Sequence, residues 1–357
     1  MKKTIELHKR WKDDPSKGEV FTPEELVKKM LDKIPTSVWE NPTSTFLDPC
    51  MGKGTFLIDI LRRLTTIYGY SVEDAMSRIY GYDVRVKYIN YLNRGGFKNV
   101  FHKDFLNENI DMKFDVVIGN PPYQSPKKND KKGKGGNNSL YIKFIIKGMD
   151  ILKDGGVFSF VTPPAALIKS TEIGKKSKTM DIMIKNGSFD FINLDTNKYF
   201  NVASAISNWQ WVKGGSNKDV VITSMEKNYT KNIDLISYLP PKFNEVEISL
   251  FDKIVSNRNG QKMIVKRSDN GDVENSNNLM WMCRFGYNYP SIGRNKSNQA
   301  LYTDVVNYEF LTSKVGKWYL SFIQRHDAMT YHNLLTGIYN GSIELTYEEN
   351  KMISDVE

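Results

Sequence analysis

The segment FDVVIGNPPYQ (residues 114–124) decides the fold. Its β-branched run VVI (116–118) predicts a strand covered on both faces, because such side chains fit a buried pleated sheet. Pro121 and Pro122 oppose both ladder pairing and helix, so the chain must leave the sheet at Asn120 in a stiff turn. Open α/β sheets bind ligands at the carboxyl ends of their strands, which makes this turn a candidate site.

The composition is that of a globular protein. The chain has 357 residues, of which 40% are hydrophobic and 25% charged, enough for two domains. No apolar stretch reaches the ~20 residues of a membrane span, and the N-terminus lacks the apolar core of a secretory signal. Two cysteines, Cys50 and Cys283, and four histidines indicate neither a disulfide framework nor a zinc site. We therefore expect a cytoplasmic protein with no membrane contact and no metal.

Positive charge is concentrated in the first part of the chain. The net charge is +9 overall, and residues 1–213 hold 34 Lys and Arg against 24 Asp and Glu, whereas residues 214–357 hold 16 against 17. This excess favours a polyanionic partner.

Strand and helix patterns alternate through residues 1–213, which predicts an α/β domain with a Rossmann-like, seven-stranded sheet. Residues 214–357 lose this alternation and are expected to form a second, smaller domain. A helix over 141–156 should end at Gly155 and Gly156, a typical helix terminus. The predicted strands are 44–48, 78–83, 98–104, 114–120, 157–163, 188–194 and 203–212.

A glycine-containing turn, LDPCMGKGTF (47–56), lies between the first strand and the first helix of this domain. Gly52 and Gly54 permit close backbone approach, and the free N–H groups of the helix start attract a carboxylate or phosphate. Lys53 stands between the glycines, so the spacing of a phosphate-binding P-loop is absent.

Three carboxylates end three consecutive strands. Asp48 ends the first, Asp83 ends the second, where a carboxylate can bind both ribose hydroxyls, and Asp104 ends the third, where it can accept a hydrogen bond from an exocyclic amine. Together with the glycines after Asp48, they predict an adenosine pocket.

The order of these motifs resembles that of the gamma-class amino-methyltransferases that act on adenine in DNA. The motifs are GEVFTP (18–23), DPCMGKGTF (48–56), YGYD (80–83), KDF (103–105) and NPPY (120–123). The resemblance implies a methyltransferase domain over 1–213 and a DNA target-recognition domain over 214–357. It also implies S-adenosylmethionine as cofactor and double-stranded DNA as partner.

By this resemblance, Thr22 contacts the methionine carboxylate, and Asp48 with the glycine turn holds the methionine end. Asp83 binds the ribose, and Asp104 with Phe105 holds the adenine. The implied cofactor-binding residues are Thr22, Pro23, Asp48, Pro49, Gly52, Gly54, Asp83, Asp104 and Phe105.

The turn after the fourth strand explains how an amine could be methylated. The Asn120 side-chain oxygen and the Pro121 carbonyl can accept the two hydrogens of an exocyclic amine and stabilise the charge that grows on it, for about a few kcal/mol. Pro122 stiffens the turn, and Tyr123 offers a ring for stacking. A base in a duplex must be flipped out, and Phe200 is by resemblance the second aromatic face.

Cys50 needs a separate interpretation, because Pro49-Cys50 also resembles the catalytic pair of cytosine-C5 methyltransferases. Here the cysteine lies inside the glycine turn, so we interpret it as a small apolar filler.

Basic residues in two regions are candidate DNA contacts. The segment QSPKKNDKKGKGGNNS (124–139) has five lysines and no apolar residue, and should lie along phosphates beside the base pocket. The lysines are Lys127, Lys128, Lys131, Lys132 and Lys134, and the candidates in the second domain are Arg284, Arg294, Lys296 and Arg325.

Several alternatives stay open. The same turn suits any planar amine, so a protein glutamine amide or an rRNA adenine are rival substrates, and N4 of cytosine a weaker one. A DNA-binding module without catalysis is the rival from another class. On the leading interpretation the chain is a monomer that belongs to a bacterial or phage restriction-modification or protection system, with a separate restriction endonuclease acting at the same site.

Overall fold

A computed structural model describes residues 20–123, 140–167, 179–201 and 205–234, with shorter pieces further along the chain. The chain divides into two compact units. The first comprises Met1–Ser170 and Lys175–Asp234, and the second comprises Thr171–Gly174 and Leu235–Glu357.

The first unit is built on one nine-stranded sheet, whose order is β3-β2-β1-β4-β5-β7-β6-β8-β9. Strands β1 to β6 and β8 are parallel, whereas β7 and β9 run antiparallel to their neighbours. The strands are β1 Phe46–Asp48, β2 Ile79–Asp83, β3 Val100–His102, β4 Phe114–Gly119, β5 Leu152–Thr162, β6 Gly187–Asn193, β7 Ser207–Lys213, β8 Asp219–Ser224 and β9 Lys227–Asn232.

The helices cover this sheet with apolar faces, as a doubly wound architecture requires. They are α1 Glu24–Leu31, α2 Thr36–Glu40, α3 Thr55–Thr66, α4 Val72–Ser77, α5 Val86–Arg94, α6 Leu140–Asp150 and α7 Thr179–Asn186. Short 3-10 turns follow β3, β5 and β6 at Phe105–Asn107, Pro164–Leu167 and Thr196–Tyr199. The predicted α/β class is thereby confirmed.

The sheet has two strands more than the seven predicted. β8 pairs in parallel with β6, and β9 folds back onto β8. The predicted domain boundary after residue 213 therefore falls inside the first unit, which continues to Asp234. The edge strand β9 is half-buried or exposed along its length, so its sequence carries little of the apolar signal used to find strands.

The helix predicted to end at Gly155 and Gly156 is shorter than expected. α6 ends at Asp150, and the two glycines lie inside β5. The pairing of β4 with β5 shifts register between Phe114 and Val116, and Gly155 has a φ of 75°. The two glycines thus lie at a bulged, irregular part of the pairing, and Gly155 adopts the left-handed backbone that a helix terminus also needs.

In the second unit the structure describes a three-stranded antiparallel sheet of order β10-β12-β11. Its strands are β10 Val265–Arg267, β11 Ser291–Arg294 and β12 Ala300–Thr303. In the described parts of both units, no helix has the length and apolar character needed to cross a membrane.

Candidate active site

The turn between β1 and α3 contains the two glycines in the tight backbone that the sequence predicts. Gly52 and Gly54 have φ values of 50° and 81°, in the left-handed region that favours glycine. A β-carbon on Gly54 would lie 2.7 Å from Leu92 Cδ2, so α5 packs directly on this turn. The Met51 N–H donates to the Tyr82 carbonyl at 3.0 Å and ties the turn to β2.

Asp83 and the glycine turn lie together at the carboxyl edge of the sheet. Oδ2 of Asp83 accepts from the Gly52 N–H at 3.0 Å, and Oδ1 accepts from the Arg85 N–H at 2.8 Å. The Asp83 carboxylate is thereby fixed next to the glycine turn, and its predicted contact with a ribose stays a prediction.

Asp48 is enclosed beneath this turn. Its side chain is buried, and Oδ1 accepts from the Cys50 N–H at 3.0 Å. Burial, with a smaller contribution from the nearby charge of Asp83, raises the pKa of Asp48 to about 7. Burial also raises the pKa of the Cys50 thiol, which keeps it protonated and supports its interpretation as a filler.

The exit of β4 meets the glycine turn. A β-carbon on Gly119 would lie 2.7 Å from Oδ1 of Asp48 and 3.4 Å from Sγ of Cys50. Asn120 follows, half-buried, and its Nδ2 makes a long contact of 3.5 Å with the Val20 carbonyl. Pro121, behind it, is buried.

Tyr123 is half-buried beside Asn120 and meets Tyr141 edge to face, with ring centroids 6.2 Å apart. Burial raises the pKa of Tyr123, so its phenol stays neutral. Its carbonyl accepts from the Leu140 N–H at 3.1 Å. Tyr123 and Leu140, which flank residues 124–139, therefore lie next to each other, close to Asn120.

The segment before α1 covers the glycine turn. Thr22 is buried, and Pro23 stands at the start of α1. The Phe21 ring lies 3.3 Å from the β-carbon position of Gly52, and the Lys53 ammonium lies 4.8 Å from that ring's centroid. Sequence reasoning used Thr22 and Pro23 but missed Val20 and Phe21, although both belong to the GEVFTP motif.

Asp104 and Phe105 lie at the end of β3 as predicted, but in different environments. Asp104 is exposed and caps a 3-10 turn, with Oδ1 accepting from the Leu106 N–H at 3.0 Å. The Phe105 ring is 1% exposed and stacks on Phe144 at 5.5 Å. The ring thus belongs to the core, and its contact with a cofactor stays a prediction. Val84, which follows Asp83, is an apolar side chain that is 58% exposed.

Phe200 lies in the loop between β6 and β7, at the same sheet edge as Asn120. It is half-buried and packs against the core cluster that Tyr123 also contacts. Its predicted role toward a flipped base remains untested.

The predicted DNA contacts lie largely outside the described residues. These are Lys127, Lys128, Lys131, Lys132, Lys134, Arg284, Lys296 and Arg325. Arg294 lies at the end of β11. The described residues contain no cluster of three or more His, Cys, Asp or Glu that could hold a metal ion.

Comparison with known proteins connects this geometry to DNA modification enzymes. Residues 68–200 match the family model of the Eco57I restriction-modification methylases. The chain is 29% identical over 160 residues to the Type II methyltransferase M.VspI of a Vibrio strain, covering 42% of this chain and 37% of that protein. It is 30% identical over 162 residues to the modification methylase CviBIII of a Paramecium bursaria Chlorella virus, covering 43% and 39%.

A longer match is to the Type II methyltransferase M.HincII of Haemophilus influenzae. It is 25% identical over 255 residues and covers 65% of this chain and 45% of that protein. The chain thus spans less than half the length of these relatives. The resemblance to DNA methyltransferases of restriction-modification systems is thereby confirmed, and the family match over residues 68–200 includes the motifs YGYD, KDF and NPPY.

Two solved structures are also similar to the chain. A class I S-adenosylmethionine-dependent methyltransferase from Listeria monocytogenes is 20% identical, with a TM-score of 0.46, covering 63% of this chain and 70% of that one. The type IIG restriction endonuclease BpuSI is 14% identical, with a TM-score of 0.46, covering 94% and 48%.

Proposed function

We propose that the chain is a site-specific DNA methyltransferase that transfers a methyl group from S-adenosylmethionine to N6 of a flipped adenine. One observation carries the proposal: Asn120 directly follows Gly119, the last residue of β4, and a β-carbon on Gly119 would lie 2.7 Å from Oδ1 of Asp48. An amine-binding asparagine and a nucleotide-binding turn therefore share one sheet edge.

The residues of the glycine turn fit the cofactor. Gly52 and Gly54 adopt the left-handed backbone that shapes the turn, the Asp83 carboxylate is bonded to the Gly52 N–H, and Thr22 is buried just before α1. Asp48 and Pro49 would lie beneath the methionine end, and Asp104 with exposed Val84 beside the adenine. When bound, S-adenosylmethionine supplies an electrophilic methyl group.

The chain's own part in the reaction is to orient and polarise the amine. The Asn120 Nδ2 contacts the Val20 carbonyl at 3.5 Å, and on this proposal its Oδ1 faces the substrate amine. With the Pro121 carbonyl, Oδ1 accepts the two amine hydrogens and favours a pyramidal nitrogen with an available lone pair. Fixed dipoles of this kind stabilise the growing positive charge. Neutral Tyr123 stacks on the base and takes no proton.

DNA is favoured over a protein amide or rRNA because the named relatives are Type II and modification methyltransferases. The second unit, from Leu235, would read the target sequence, with Arg284, Arg294, Lys296 and Arg325 as candidates. We expect a cytoplasmic monomer, with a separate restriction endonuclease acting at the same site.

Long-read sequencing of a bacterial host that expresses the gene tests this proposal. We expect N6-methyladenine at one recurring sequence, and none in cells that express Asn120→Ala at the same level. Unmodified DNA in cells that contain soluble, cofactor-binding protein would contradict it.

A further inference from the structure

Asp195 connects the loop between β6 and β7 to the turn between β8 and β9. Its carboxylate accepts two backbone hydrogen bonds from that turn, one per oxygen. Oδ1 accepts from the Met225 N–H at 2.9 Å, and Oδ2 accepts from the Glu226 N–H at 2.7 Å. Bonds from backbone N–H groups to an ionised acceptor are among the stronger hydrogen bonds in proteins.

The turn that Asp195 holds is strained. Met225 and Glu226 have φ values of 51° and 63°, and among the described residues they are the non-glycine residues with positive φ. A two-residue hairpin with positive φ at both positions is a type I′ turn, for which Asn-Gly is the favoured sequence. Met and Glu carry a steric penalty there, so an external partner is needed to hold this geometry.

The same carboxylate lies directly before the element that presents Phe200. Asp195 begins the 3-10 turn Thr196–Tyr199, and the Phe200 N–H donates to the Asn197 carbonyl at 2.9 Å. The Leu194 N–H donates to the Thr223 carbonyl at 2.8 Å, which adds a backbone link to β8. The hairpin of β8 and β9 is thus bonded to the start of the Phe200 loop both by the Asp195 side chain and by the Leu194 backbone.

We propose that Asp195 is a positioning residue for methyl transfer, which holds the loop so that Phe200 can stack on the flipped base. The hairpin of β8 and β9, beyond the seven predicted strands, is then the fixed support for this loop. The inference rests on the proposed function, since it needs a flipped base. A brace for the strained turn alone is the competing explanation.

A turn replacement separates the two roles. The double change Met225→Asn and Glu226→Gly gives the hairpin the favoured Asn-Gly sequence, with which it should form the type I′ turn without the Asp195 carboxylate. Combined with Asp195→Ala, this change should restore thermal stability but not the two hydrogen bonds from the loop carboxylate to the hairpin. The matched control is Asp154→Ala, whose side chain is 94% exposed near the start of β5, at the opposite sheet edge.

The readouts are kcat for DNA methylation, the cofactor Kd, and the fluorescence of 2-aminopurine placed at the adenine that sequencing identifies. We expect Asp195→Ala to lower kcat and the flipping signal roughly tenfold, as for a misplaced catalytic contact, with cofactor Kd unchanged. The triple variant should regain the melting temperature and keep both defects. The conservative Asp195→Asn, which retains one acceptor, should fall between.

Two results would overturn the inference: wild-type flipping in Asp195→Ala, or recovery of flipping in the triple variant. Asp195 would then be a turn brace. Because the triple variant restores the turn, it keeps the test valid even where the single variant does not fold. A wild-type protein that methylates no DNA would instead refute the proposed function.

Discussion

Gly119 lies so close to Asp48 that a single β-carbon would come within 2.7 Å of the Asp48 carboxylate. Gly119 is the last residue of β4 and Asp48 the last of β1, neighbouring strands in the sheet. The glycine therefore lets the two motifs occupy one edge. Its role is close approach, since it adopts ordinary strand backbone.

Gly119→Ala should displace Asp48 and damage both halves of the site. Overpacking of this kind costs about 1–3 kcal/mol of stability, and we expect a comparable loss in cofactor binding. Denaturant unfolding and calorimetric titration of S-adenosylmethionine would measure both. Normal stability with normal affinity would show that the two strand ends adjust freely.

The buried carboxyl of Asp48 should make stability depend on pH. Its folded pKa, about 7, lies above its ordinary value, so its contribution is fully present below about pH 4 and lost as the pH rises through 7. Asp48→Asn should therefore exceed the wild type in cofactor-free stability at pH 8 by on the order of 1–3 kcal/mol, and lose that advantage near pH 4.

Denaturant unfolding from pH 4 to 8 measures the free energy of unfolding of the wild type and of Asp48→Asn. Subtracting the two free energies removes the contribution of the other titrating groups. The matched control is Asp154→Asn, which removes the carboxylate of a side chain that is 94% exposed. A pH-independent gap between wild type and Asp48→Asn would mean that Asp48 titrates normally.

Asp83 should matter to the cofactor more than to chemistry. Its carboxylate holds the Gly52 N–H and is expected to bind the ribose, and both contacts persist from ground state to transition state. Asp83→Ala should weaken S-adenosylmethionine affinity by roughly tenfold or more, with kcat at saturating cofactor nearly unchanged. Kinetics at varied cofactor concentration distinguish this from a loss of kcat alone, which would place Asp83 in the reaction.

The lysines of residues 124–139 should contact DNA phosphates. The segment begins and ends beside the site, because the Leu140 N–H donates to the Tyr123 carbonyl. Replacing Lys127, Lys128, Lys131, Lys132 and Lys134 by Ser should flatten the log–log salt dependence of DNA affinity by ~2 to 4 units, equally for all sequences.

Fluorescence anisotropy between low and moderate salt gives the slope. The control variant replaces Lys98 and Lys113 by Ser. These lysines precede β3 and β4 at the opposite sheet edge, so the salt dependence of DNA affinity should stay unchanged. An unaltered slope in the five-lysine variant would assign the segment no role on DNA.

The sequence predicts the parts of this molecule that depend on local chemistry. Buried strands, the glycine turn and the proline exit each have a short-range cause, and Asp83 follows its strand directly. Contacts between distant residues leave no such pattern. The Val20 carbonyl meets Asn120 across 100 residues, and Asp195 meets Met225 across 30. The bulge at Gly155 was missed because a glycine pair suits a helix end equally well.

The central claim is that Asn120 prepares an adenine amine in DNA for methylation. The most direct measurement supplies labelled S-adenosylmethionine to purified protein with DNA, RNA and protein from one cell extract, followed by nucleoside analysis. We predict that the label enters DNA as N6-methyladenine and that no methylcytosine forms. The Asn120→Ala variant should label no DNA, although it should still bind the cofactor with wild-type affinity. Label that enters protein or RNA and never DNA would contradict the account.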